Sequence, residues 1–118
     1  MNDFPIPHKA PIRFVRSLLK YDSNSALVEV SFEQIPTLAM LCEAAAQASS
    51  GIKDKKQEQR IGFVLGFRNI KLLEKPNKQN YKIDINLVQQ LDDFKSFDFT
   101  VLDENDPVST GSFSLMLQ

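Results

Sequence analysis

The chain has 118 residues, 42% of them hydrophobic and 25% charged, with a formal net charge of -1. That size suits one domain (1–118) with a modest core, and the near-neutral balance gives no basis for nucleic acid or an anionic membrane as a partner held by charge. A single cysteine, Cys42, excludes an internal disulfide, no metal-ligand spacing occurs, and no apolar run approaches the ~18 residues needed to span a bilayer.

The opening "MNDFPIPHKAP" lacks a basic-then-apolar leader pattern, so a cytoplasmic protein with a reduced, buried thiol is expected. Pro5, Pro7 and Pro11 restrict this arm to extended or turn conformations ahead of the first strand. "IRFVRSLLKY" (12–21) and "ALVEVSFE" (26–33) flank the turn signal "DSNS" and predict a hairpin, with Ala26, Val28, Val30 and Phe32 on one face of its second strand. The period then changes. Pro36 suits a first helical position, "TLAMLCEAAAQASS" contains no helix breaker, and Gly51 is a natural stop, which predicts a helix of about fourteen residues. "KDKKQEQR" (53–60) reads as a surface connector. Four segments with strand character follow: "IGFVLGFRNIKLL" (61–73), "YKIDINLVQQL" (81–91), "FKSFDFTVLD" (94–103) and "PVSTGSFSLMLQ" (107–118). The short connectors at Asp92-Asp93 and Glu104-Asn105-Asp106 imply antiparallel neighbours.

The order β-β-α-β-β-β-β gives an α+β domain. Its one long helix carries Leu38, Met40, Leu41, Cys42, Ala44, Ala45, Ala46 and Ala48, so it is apolar on nearly every side and needs cover on more than one face. A curved antiparallel sheet of about six strands wrapped around a central helix, the hot-dog arrangement, supplies that cover. A second subunit whose edge strand continues the sheet completes it, and a dimer is expected.

One carboxylate interrupts the helix. Thr37, Met40, Glu43, Gln47 and Ser50 recur three or four residues apart and form one narrow stripe. Either this stripe faces water, or it faces a tunnel at a subunit interface. In the tunnel, desolvation favours a protonated Glu43 able to act as a general acid, Gln47 hydrogen-bonds it one turn on, and Ala39, Ala44 and Ala46 leave room for a substrate.

Three stretches carry a family resemblance: "PHKAPIRFVRSLL" (7–19), "EAAAQASSG" (43–51) and "IGFVLGFRNIKLLEKP" (61–76). Over nearly its full length the chain resembles the hot-dog dehydratases that act on 3-hydroxyacyl groups carried by acyl carrier protein. The second and third stretches look most like the dehydratase-like proteins of aryl-polyene and related polyketide or fatty-acid clusters. The resemblance implies that Glu43 is the catalytic carboxylate and that Gln47, its companion, belongs to the substrate-binding residues with Gly66 and Arg68. It implies no resident cofactor, the substrate being a thioester on the phosphopantetheine of a carrier protein or on coenzyme A. It also implies a homodimer, or a heterodimer with another hot-dog subunit.

The departure from the family lies before the helix, where "VSFEQIPTLAM" (30–40) has no histidine. The single histidine, His8, sits in the N-terminal arm; it either seats that arm or serves as the catalytic base across the subunit pair. Arg68 either meets a substrate phosphate or an acidic carrier surface, or makes exposed salt bridges, as do Arg13, Arg16, Lys53, Lys55, Lys56 and Arg60. Gly62 and Gly66 allow close approach of helix or substrate, or permit curvature. Three functions follow in order: a 3-hydroxyacyl-thioester dehydratase, a non-catalytic hot-dog subunit that binds an acyl chain or stabilises a partner, and an acyl thioesterase.

Overall fold

The computed structural model describes residues 14–49 and 62–117. Its elements are β1 (Val15–Tyr21), β2 (Ser25–Ser31), α1 (Leu38–Ala48), β3 (Gly62–Leu72), β4 (Asn80–Leu91), β5 (Phe94–Asp103) and β6 (Asp106–Leu117). The six strands make one sheet in the order β1-β2-β4-β5-β6-β3, and every neighbouring pair is antiparallel. Sequence and space therefore part company at one place: β3 follows the helix in the chain but pairs with β6, at the edge of the described sheet opposite β1.

Alternation in the strands builds the core. Ala26, Ile85, Phe99 and Gly111 lie in one cross-strand row, and Leu87, Phe97, Phe113 and Phe67 in the next. Phe97 and Phe113 stack with ring centroids 5.1 Å apart, and Phe67 leans on Phe113 at 5.7 Å. Leu41, Ala44, Ala45 and Ala48 of α1 are buried against this face. The small helix residues let the backbone approach the sheet closely, and large residues on the strands fill the remaining volume. The helix touches all six strands. A flat six-stranded sheet is about 24 Å across, whereas an eleven-residue helix is only about 16 Å long, so the sheet has to curl toward the helix.

The helix is shorter than the fourteen residues expected. Thr37, not a residue before Pro36, is its N-cap: the Thr37 hydroxyl accepts from the Met40 N–H at 3.2 Å. The element is thus three turns long rather than a long central rod. Its C-cap is Ser49, while Ser50, the expected stop Gly51 and the connector 53–60 lie outside the described residues.

The first turn matches its chemistry. In the β1–β2 hairpin, Asp22 Oδ1 accepts from the backbone N–H groups of Asn24 and Ser25, each at 2.8 Å. In the β4–β5 and β5–β6 hairpins the first central residues, Asp92 and Glu104, have φ of 54° and 58°. The outer face of the sheet is mostly polar, but at one end Leu91, Phe94, Met116 and Phe63 form an apolar row across four strands. Strand β3 carries two irregularities, between Val64 and Gly66 and between Arg68 and Lys71, the second containing Asn69 at φ 55°.

Candidate functional site

The stripe Thr37–Met40–Glu43–Gln47 lies on the least covered flank of α1. Met40, Glu43, Ala46 and Gln47 are half-buried and Ala39 is exposed, whereas Leu41, Cys42, Ala44 and Ala45 are buried. Glu43 therefore stands at the boundary between core and surroundings, neither on a bare surface nor sealed away. Glu43 and Gln47, four residues apart, occupy adjoining turns, and Gln47 Nε2 donates to Glu43 Oε2 at 3.4 Å. At its other end Gln47 Oε1 accepts from the Phe14 backbone N–H at 2.8 Å. The start of the first strand is thereby tied to the polar stripe of the helix.

Phe14 is itself fixed. Its side chain is buried with its ring centroid 4.7 Å from that of Phe32, and its carbonyl accepts from the Ser31 N–H at 2.9 Å. Phe32 in turn meets Tyr81, whose hydroxyl accepts from the backbone N–H groups of Asn77 and Lys78. An aromatic wall thus backs the point where β1 meets the helix.

The structure brings Glu43 and Gln47 together and sets Arg68 and Gly66 apart from them. Gly66 pairs with Ser114 and lies in the row of Ser114 and Ser96; Arg68 donates from Nη1 to Ser114 Oγ at 2.7 Å and from Nη2 to Ser96 Oγ at 2.9 Å. Those serines alternate with Phe97, Phe113 and Leu115 of the helix-facing core, so Arg68 lies on the opposite face of the sheet from Glu43. A Cβ on Gly66 meets nothing within 4 Å, so any close approach there comes from outside the fold described. His8, together with Arg13, Lys53, Lys55, Lys56 and Arg60, lies outside the described residues.

Cys42 adjoins Glu43 in sequence but is buried, and desolvation pushes its thiol up, away from the thiolate a nucleophile requires. One residue passed over in sequence is Lys95, only 5% exposed and opposite Leu115 on the helix-facing side. Its two-residue offset from Phe97 was the available signal, because residues i and i+2 of a strand share a face. Among the described residues no group of His, Cys, Asp and Glu is placed to hold a metal ion, and no helix is long and apolar enough to cross a membrane.

The sequence matches no known protein-family model and no curated protein. Solved structures are similar to it. They include the dehydratase heterocomplex ApeI:P from Xenorhabdus doucetiae, at 22% identity and a TM-score of 0.74 over 96% of this chain and 88% of that one. An HP0420 homologue from Helicobacter felis matches at 12% identity and a TM-score of 0.73, over 93% and 81% of the two chains. A hypothetical thioesterase protein with coenzyme A from Streptococcus pneumoniae TIGR4 matches at 14% identity and a TM-score of 0.68, over 86% and 84%. Sequence identities at this level speak for architecture alone. Six antiparallel strands on one short helix, matched along almost the whole chain, establish that this protein has the hot-dog fold.

Proposed function

We propose that this chain is a hot-dog protein of acyl-thioester metabolism, and that its reaction is dehydration of a 3-hydroxyacyl group carried by acyl carrier protein. The observation that carries the reading is the position of Glu43: half-buried on α1 and hydrogen-bonded by Gln47. In the proposed reaction a base removes the α-proton of the thioester and the C–H electron pair becomes the new C=C bond. The bond from the β-carbon to its hydroxyl breaks as Glu43 protonates the departing oxygen, and water leaves. His8 is the proposed base, reaching the site within a pair of subunits. Arg68, held on the outer face near the β3 edge, is proposed to meet the phosphate end of the substrate's phosphopantetheine arm, with Gly66 beside it leaving space.

The proposed assembly is a dimer through β3, either of two copies or with another hot-dog subunit, in the cytoplasm. Support comes from the edge itself: Phe63, Val64, Leu65 and Phe67 are exposed, on an eleven-residue strand at the border of the described sheet. A partner strand would extend the ladder and bring apolar cover with it.

A second reading has a specific observation behind it. The passage from β2 into α1, Phe32 to Thr37, contains no histidine. A partner subunit would then supply the base, and this chain would bind the acyl group or stabilise that partner. Hydrolysis of an acyl thioester stands third, with Glu43 activating water.

Hydration of a trans-2-enoyl thioester, followed by loss of the enoyl absorbance, separates these readings. Turnover that falls at least roughly hundredfold in both Glu43→Gln and His8→Ala supports the dehydratase with its proposed pair. Acyl-thioester binding without turnover supports the non-catalytic subunit, and release of free thiol supports the thioesterase. Full activity in Glu43→Gln overturns every catalytic version.

A further inference from the structure

Gln47 stands between a backbone donor and a carboxyl group, and that pair of neighbours leaves its amide a single orientation. Only the carbonyl end can accept the Phe14 N–H, so Oε1 faces Phe14 at 2.8 Å and the NH2 end faces Glu43, with Nε2 3.4 Å from Oε2. The direction of the Phe14 N–H is set in turn, because the Phe14 carbonyl accepts from Ser31 on β2 and the ring is buried against Phe32. The chain of donors thus runs one way: β2 holds Phe14, Phe14 donates to Gln47, and Gln47 donates to Glu43.

We propose that Gln47 is a positioning residue that couples the entry of β1 to Glu43 through this directional relay, rather than a group that binds substrate through its amide. The role it gives Gln47 in turnover rests on the reading of Glu43 as the reacting carboxyl; the relay itself does not. Its carbonyl is engaged by the backbone, so the amide cannot rotate to meet a ligand without giving up the Phe14 bond. Hydrogen bonds in series polarise one another. When Glu43 is ionised it draws on the Gln47 N–H, which makes Oε1 a stronger acceptor and lengthens the Phe14 N–H bond. A change of charge on the helix is therefore felt at the first backbone amide leading into β1.

The test is a pH titration of the full-length protein by nuclear magnetic resonance, following the Phe14 amide proton and the side-chain carboxyl carbon of Glu43, the latter assigned by its loss in Glu43→Gln. The expected result is a downfield movement of the Phe14 amide proton in step with the ionisation of Glu43. That step disappears in Glu43→Gln and in Gln47→Met, while the Glu43 carbon of Gln47→Met still titrates. A Phe14 amide that stays flat as Glu43 ionises overturns the relay, as does a step that persists in Gln47→Met. If Gln47→Met does not fold, wild type against Glu43→Gln decides the question alone.

If the chain turns over an enoyl thioester, Gln47→Met lowers kcat roughly tenfold to hundredfold with KM changed less than about twofold. A raised KM with kcat retained overturns the positioning role. An intact titration step in a protein without turnover refutes the proposed reaction and leaves the relay standing, so the two failures are distinguishable.

Discussion

The ring of Phe99 occupies the space that a side chain at Gly111 would need: a Cβ added there would lie 2.9 Å from Phe99 Cζ, and it would also strike Ile70 Cδ1. Gly111 is buried in the middle of β6 and pairs with Phe99 on β5, so the absence of a side chain there lets Ile70 close over the aromatic core. Gly111→Ala is expected to lower stability by about 1–3 kcal/mol, as overpacking of a dense interior does. Gly66→Ala, where the added Cβ meets nothing within 4 Å, is the contrasting case, expected to stay within about 0.5 kcal/mol of wild type. Urea denaturation of both variants checks the pair; equal losses would refute the packing account.

Glu104 has the opposite problem. It takes φ 58° as the first central residue of the β5–β6 turn, between the paired residues Asp103 and Asp106. A Cβ is disfavoured in that conformation, and glycine or asparagine is not. Glu104→Gly is expected to raise the thermal midpoint, with a gain of up to about 1 kcal/mol. A lowered midpoint would show that the lost side chain contributes more than the turn strain it imposes.

Arg68 sits over two buried hydroxyl groups, those of Ser96 and Ser114, and donates to each from a different nitrogen. A lysine ammonium has no planar fork to reproduce this. Arg68→Lys is expected to lose about 1 kcal/mol and Arg68→Met about 1–3 kcal/mol, because removing the donor leaves buried polar groups short of a partner. Denaturant midpoints of the two variants check the order, and an unaffected Arg68→Met would mean that water satisfies both serines.

Asp22 carries a pH dependence. Backbone hydrogen bonding from Asn24, then hydrogen bonding from Ser25, holds its carboxyl below the usual carboxylate range. The ionised form is thus favoured by folding, and its contribution is fully present above the unfolded value of about 3.9 and disappears as pH falls through the lower folded one. Asp22→Ala is expected to be less stable than wild type at neutral pH, with the gap narrowing as the solution is acidified below pH ~4. A gap that is constant from neutral to acid pH would contradict this assignment.

The exposed side of β3 makes a prediction about mass. Leu65 is 57% exposed at the first irregularity of that strand, so a lysine there costs the isolated subunit little. Leu65→Lys is expected to shift a dimer toward monomer in light scattering while the thermal transition of each subunit is retained. A wild type that is monomeric at high concentration rules out self-association through this edge.

Most strands were legible in the chain because alternation was clean: Tyr81, Ile83 and Ile85 on β4 and Phe97, Phe99 and Val101 on β5 are buried, as the period of two requires. The helix was legible in kind but not in length, since Thr37 takes the cap that Pro36 suggested would lie earlier. The face of Arg68 was not legible. Two irregularities in eleven residues break the period of β3, and a side chain cannot be assigned to a face by counting across a bulge. The order of strands was equally hidden, because nothing local in β3 says that it pairs with β6 rather than with the strand before it. The pair Glu43 and Gln47 could be read from spacing alone, whereas the bond from Phe14 joins residues 33 apart and exists only once β1 lies against the helix.

The offsets in β3 have a further effect on what the protein avoids. A straight, apolar outer strand is a template on which identical chains stack in any register, the first step toward fibres. The extra residue at Leu65 and the left-handed turn at Asn69 put two notches in that template. Each notch interrupts the regular run of backbone donors and acceptors along the strand, which makes indiscriminate stacking of identical chains on it less favourable.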